Sequence, residues 1–97
     1  MKLRFTPRAV ESIVGIADYI REQNPAAAQR VRAAIYDGLQ DLLLFPRVGR
    51  LQKTESVRKF VTPKYAYLVY YTVDETAEEI VVLDVKHPAQ FRPHDDA

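Results

Sequence analysis

Residues 57–87 read VRKFVTPKYAYLVYYTVDETAEEIVVLDVKH, and this stretch decides the fold. Three runs rich in β-branched and aromatic residues, 57–62, 66–73 and 79–86, are separated by the polar connectors TPKY (62–65) and DETAE (74–78). Strand formers bounded by turn formers predict a β-meander. Alternation along the middle run places Tyr67, Val69, Tyr71 and Val73 on one face and Leu68, Tyr70 and Thr72 on the other. Neither face is strongly polar. One is expected to meet a protein core and the other a partner.

The chain on the N-terminal side supplies that core. Residues 2–6, KLRFT, alternate as a short strand with Leu3 and Phe5 on one face. Thr6 followed by Pro7 reads as a helix N-cap with proline at the first helical position. Val10, Ile13, Val14, Ala17 and Ile20 then recur at helical spacing, to about Gln23. Gly15 lies inside that helix at a cost of about 1 kcal/mol relative to alanine, so a close crossing by a second helix is expected there. Asn24-Pro25 repeats the cap-and-proline device. A second helix carries Ala28, Val31, Ile35, Leu39, Leu42 and Leu43 as its stripe, with Leu39 and Leu42 expected between helix and sheet. It must end near Phe45, because Pro46 disfavours helix in the residue before it. Two helices joined so closely pack as an antiparallel hairpin. Residues 46–56, PRVGRLQKTES, read as a basic connector turning at Gly49. The expected class is α+β, in the order βααβββ, with the hairpin laid on a small, largely antiparallel sheet. Residues 1–92 form one domain on this reading, and residues 93–97 are expected to fray.

Composition narrows the function. A chain of 97 residues is sized for a single modest core, and 47% hydrophobic with 28% charged residues is ordinary for a soluble globular protein. There is no cysteine, which excludes disulfides, thiolate metal sites and a thiol nucleophile. The start MKLRFTPRAV lacks the apolar core of a signal peptide, so the cytoplasm is the expected compartment and no membrane contact is expected. The formal net charge is only +1, but its distribution is uneven. Between residues 47 and 64, Arg47, Arg50, Lys53, Arg58, Lys59 and Lys64 face only Glu55. Such a surface attracts anionic partners, or simply faces water.

The two imidazoles, His87 and His94, have no carboxylate at a helical ligand spacing, and no metal or cofactor is expected. Gly15, Gly38 and Gly49 are too far apart for a phosphate loop, and Ser12 and Ser56 lack glycine elbows. What remains lies on or beside the sheet: Arg58, Lys59, Lys64, Tyr65, Tyr67, Tyr70, Tyr71, Lys86, His87 and Arg92. These types can cleave RNA without metal, a base taking the 2′-hydroxyl proton while cations hold the phosphorane charge. His87 is the group suited to proton transfer near neutrality, although a strand-ending histidine can equally serve a local hydrogen bond. Arg58 lies on a strand among apolar neighbours, so its guanidinium is expected to need a carboxylate or an anionic ligand.

The order of elements, FPRVGR (45–50) after a long helix, the strand holding Arg58, YLVYYTV (67–73) and the closing IVVLDVKH (80–87) together resemble the RelE/ParE toxins of bacterial type II toxin–antitoxin systems. The resemblance runs from Phe5 to about Arg92. It implies a toxin neutralised by a cognate antitoxin in a hetero-oligomer, without a cofactor. RelE-like members are ribosome-dependent mRNA endonucleases that use several basic residues and usually a tyrosine near the C-terminus. ParE-like members poison DNA gyrase and lack that set. Arg58 matches the arginine common to the second strand, and His87 the histidine that closes the last one. After His87, PAQFRPHDDA carries neither the familiar glycine-arginine nor a tyrosine, and Asp84 stands where many relatives have a basic residue.

The resemblance therefore implies a ParE-like gyrase inhibitor that acts by binding. Its target-binding residues would be Arg58, Lys59, Phe91 and Arg92. Its antitoxin-binding residues would be Leu68 and Tyr70, lining an open groove for an acidic, partly disordered segment, with Arg47 and Arg50 steering. The alternative is a RelE-like nuclease acting on the ribosome through His87, Arg58, Lys86 and Arg92. A non-toxic binding module on the same fold is the third reading.

Overall fold

In the computed structural model, which describes residues 1–88, the chain runs β1 (Lys2–Phe5), α1 (Pro7–Gln23), α2 (Pro25–Leu44), β2 (Arg50–Leu51), β3 (Arg58–Val61), β4 (Leu68–Asp74) and β5 (Glu79–Lys86). The strands form one sheet in the order β1-β5-β4-β3-β2. β1 runs parallel to β5, and the other pairings are antiparallel. Two helices on a mixed five-stranded sheet make an α+β fold. One element is added to the order expected from sequence: the connector contains β2, whose two residues pair with Lys59 and Arg58. The expected fraying of residues 93–97 lies outside the described residues, and none of the described helices is long and apolar enough to cross a membrane.

Both helix starts follow from their caps. Thr6 Oγ1 accepts the Ala9 N–H at 3.1 Å, and Asn24 Oδ1 accepts the Ala27 N–H at 3.2 Å. Asn24 also donates its own N–H to the Ile20 carbonyl at 2.7 Å. One extended residue thus ends α1 and begins α2, which forces the antiparallel hairpin.

Thr6 does more than cap. Its N–H donates to the Val82 carbonyl at 3.0 Å, and its hydroxyl donates to the Leu83 carbonyl at 2.9 Å. Leu83 is the extra residue of a β-bulge, since Tyr71 pairs with Val82 and Tyr70 with Asp84. The bulge shifts the side-chain parity of β5. Ile80 and Val82 before it, and Val85 after it, therefore all point into the core. That core joins Tyr67, Val69, Tyr71, Ile80, Val82 and Val85 of the sheet to Ala9, Val31, Ile35, Leu39 and Leu42 of the hairpin. The expected face of β4 and the placement of Leu39 and Leu42 are as read from sequence.

The glycines differ from expectation. A Cβ at Gly15 would meet nothing within 4 Å, so no helix crosses closely there. The tight approach is at Gly38, where a Cβ would lie 2.9 Å from Thr62 Cγ2 and 3.4 Å from Phe60 Cε2. Gly49 adopts no positive φ. Ser56, Tyr65, Ala66 and Glu78 carry the left-handed turn conformations instead.

Truncation of the fully buried Leu42 to alanine is expected to cost about 2–5 kcal/mol, read as a shift of the denaturant midpoint. Thr6→Ala is expected to cost about 1–3 kcal/mol, because it removes a cap and leaves the bulge carbonyl without its donor. Thr6→Ser should recover most of that loss. Equal stability of the alanine and serine variants would show that the hydroxyl does not hold the bulge.

Candidate functional site

Two separate regions hold the candidate side chains. The first lies where the segment after α2 returns to the sheet. Arg58 and Tyr71 are register partners on adjacent strands, so both project from the face that carries the helices. The Tyr71 hydroxyl donates to the Pro46 carbonyl at 2.8 Å and accepts the Gly49 N–H at 2.9 Å. Arg58 Nη1 donates to the carbonyls of Gly49 at 2.8 Å and Arg47 at 3.1 Å. Residue 49 must be glycine, because a Cβ there would sit 2.6 Å from Tyr71 Oη. Two backbone carbonyls thus engage Nη1 of Arg58, where the sequence predicts a carboxylate or an anionic ligand. Burial raises the Tyr71 pKa, and the Gly49 N–H and the nearby Arg58 charge oppose it less strongly. Burial, with the neighbouring Tyr65, also raises that of Tyr67.

The second region is the C-terminal end of β5. β1 reaches only to the Phe5–Val82 pair, so beyond it β5 runs beside α1 with a cleft between them. The cleft, about 620 Å³, is lined by Arg8, Ser12, Ile16, Tyr19, Lys86 and His87 among others. The bared Gly15 also borders it. His87 meets the Tyr67 ring edge-on at 5.3 Å. Asp84 is buried, and its carboxylate accepts the Ser12 hydroxyl at 2.5 Å and the Val85 N–H at 2.9 Å, with Arg8 Nε at 3.3 Å. The alternation of α1 hid this partnership, because Ser12 and Arg8 stand off the apolar stripe.

Of the four groups named for RNA cleavage, Arg58 and Lys86 are not brought together. Lys86 pairs with Leu68 and stands over the Tyr70 ring, 5.5 Å from its centroid, on the face away from the helices. Arg58 projects from the opposite face. Along β3 it also lies three residues from Val61, which pairs with Leu68, an offset of about 10 Å. Arg92, like Phe91, lies outside the described residues.

The outer face also departs from expectation. Leu68 and Tyr70, expected to line an open groove, are 7% and 9% exposed. Lys59 pairs with Tyr70 on that face. Arg47 is exposed and ion-paired with Glu75, and Arg50 is exposed. Sequence reasoning missed where the open apolar surface lies: Leu44, Phe45, Val48 and Leu51, all within eight residues, are each more than half exposed. The signal was present in FPRV, whose apolar residues follow a helix that has already filled its core stripe.

The family described as ParE toxin of type II toxin-antitoxin system, parDE, matches residues 3–90. The Sinorhizobium fredii protein Y4kP is 32% identical over 92 residues, covering 95% of this chain and 93% of its own length. Toxin RelE2 of Caulobacter vibrioides is 29% identical over 87 residues, with coverages of 90% and 94%. Among solved structures, the chromosomal ParDE toxin–antitoxin system of P. aeruginosa superposes with a TM-score of 0.76 at 20% identity, covering 90% of this chain and 95% of that one.

The buried tyrosines set an alkaline limit to stability. A pKa raised on folding means that the unfolded chain releases the proton first, so this stability is complete below the ordinary value of 10.0 and falls as the pH rises beyond it. Denaturant midpoints measured from pH 8 to 11 should drop above about pH 10. Tyr71→Phe should cost about 1–3 kcal/mol at neutral pH by leaving the Pro46 carbonyl and Gly49 N–H without a partner, and it should flatten the alkaline drop. An unchanged alkaline profile in that variant would remove Tyr71 from the account.

Proposed function

Because this chain belongs to the ParE toxin family of type II toxin–antitoxin systems, we propose that it inhibits growth by binding DNA gyrase and is neutralised by a cognate antitoxin. The observation that carries this reading is the employment of Arg58. One nitrogen of its guanidinium, Nη1, is held by two backbone carbonyls, and the side chain projects from the sheet face opposite Lys86. A metal-free ribonuclease needs its cations around one phosphate, and this arrangement supports a binding surface over a catalytic centre. In this reading Lys59 contributes directly to the target contact, with Phe91 and Arg92 beyond the end of β5. Arg58 contributes indirectly, as the neighbour of Lys59 on β3.

The test is the supercoiling of relaxed plasmid by purified gyrase. The protein should inhibit it, and His87→Gln should leave the inhibition within about threefold, since no proton moves in a binding mechanism. Deleting the chain from Phe91 onward should weaken the inhibition. The rival, a ribosome-dependent endonuclease, requires the reverse pattern. Unaffected gyrase, with mRNA cut on the ribosome and toxicity lost in folded His87→Gln, would establish it in place of this reading.

A further inference from the structure

The surface that closes the helix side of the sheet at β2 is apolar in an unusual way. Leu44, Phe45, Val48 and Leu51 are 71%, 66%, 56% and 58% exposed. Single exposed apolar side chains are ordinary, whereas a contiguous group of large ones marks a contact site. The group cannot be relieved by a shift of the segment. Tyr71 and Arg58 hold the Pro46, Arg47 and Gly49 carbonyls and the Gly49 N–H, and the Val48 N–H bonds the Phe45 carbonyl at 3.1 Å. The apolar side chains are therefore displayed on fixed backbone, which lowers the ordering cost of binding.

We propose that this patch seats an acidic, apolar-bearing segment of the cognate antitoxin, an inference that rests on the toxin–antitoxin reading above. The charge around it selects the occupant. Arg47 and Lys53 lie in and beside the patch in sequence, whereas Arg50, paired with Lys59, projects from the outer face of the same edge strand. The acids nearest in sequence are Asp41 and Glu55. Glu75 joins the rim through its ion pair with Arg47. An apolar segment interleaved with carboxylates satisfies both features, the side chains packing on Phe45 and Leu51 while the charges meet the rim. A second copy of this chain fits poorly. A two-fold contact would bring two copies of the basic rim of Arg47 and Lys53 together. β2 is the terminal strand of the sheet, so the patch opens directly at an edge.

The experiment titrates the purified product of the adjacent antitoxin reading frame into the full chain by calorimetry, at low and high salt. Phe45→Ser combined with Leu51→Ser should raise Kd about 30-fold or more with an unchanged thermal midpoint, since both side chains are exposed. Arg47→Glu combined with Lys53→Glu should weaken binding most at low salt and abolish its salt dependence. Gyrase inhibition by the Phe45/Leu51 variant should persist. Antitoxin binding that survives both double variants overturns the proposal and leaves the toxin–antitoxin reading intact. Failure of the wild-type chain to bind the product at all overturns that reading as well. Two further results would also overturn the proposal: loss of gyrase inhibition with antitoxin binding intact, which makes the patch the target surface, and concentration-dependent self-association that the Phe45/Leu51 variant removes.

Discussion

The Tyr71 hydroxyl is a polar group carried into the middle of an apolar core, where without a partner it would cost several kcal/mol. Both of its hydrogen-bonding capacities are met by the segment that leaves α2, one at Pro46 and one at Gly49. Much of the architecture follows. The segment must pass directly over the sheet, its closest residue must lack a side chain, and its remaining carbonyls need donors. Arg58, next to Tyr71 in the register, provides them. The end of the hairpin is thereby fixed to the strands beneath it, and β2 is delivered to the edge of the sheet.

What could be read in advance was whatever repeats or punctuates. The caps at Thr6 and Asn24 sit beside prolines, and the two faces of β4 follow from a period of two across residues of strong strand preference. Leu39 and Leu42 were placed by helical spacing alone. The features that escaped have no period. β2 is two residues long. The bulge lies in IVVLDVK, where apolar residues stand on both sides of the strand, so nothing in the pattern marks a change of parity. Whether Gly15 or Gly38 makes the close approach depends on how the hairpin is rotated over the sheet, which local sequence does not encode.

The site was less legible than the fold for a related reason. Arg58, Lys59, Lys86 and His87 were all correctly placed on or beside strands, yet their grouping depends on register and face. A one-residue difference in parity separates Arg58 from Lys59 across the thickness of the sheet. Backbone carbonyls, the partners Arg58 uses, leave no trace in residue identities. In the sequence Asp84 stands out only as a departure from the pattern of its relatives. Its partners, Ser12 and Arg8, lie 72 and 76 positions away.

The pairing of β1 with β5 has a consequence for synthesis. β1 is an edge strand bonded to β5 alone, and Thr6 reaches 77 positions along the chain to the Leu83 carbonyl. During translation the N-terminal strand emerges first and must wait, unpaired, while the hairpin and the meander are made. The helices can form locally in that interval, but the sheet cannot acquire its parallel edge until β5 has left the ribosome tunnel. The last long-range contact of the fold is thus also among its most widely separated. A ribosome stalled before Val82 would carry a nascent chain whose first strand has nothing to bind.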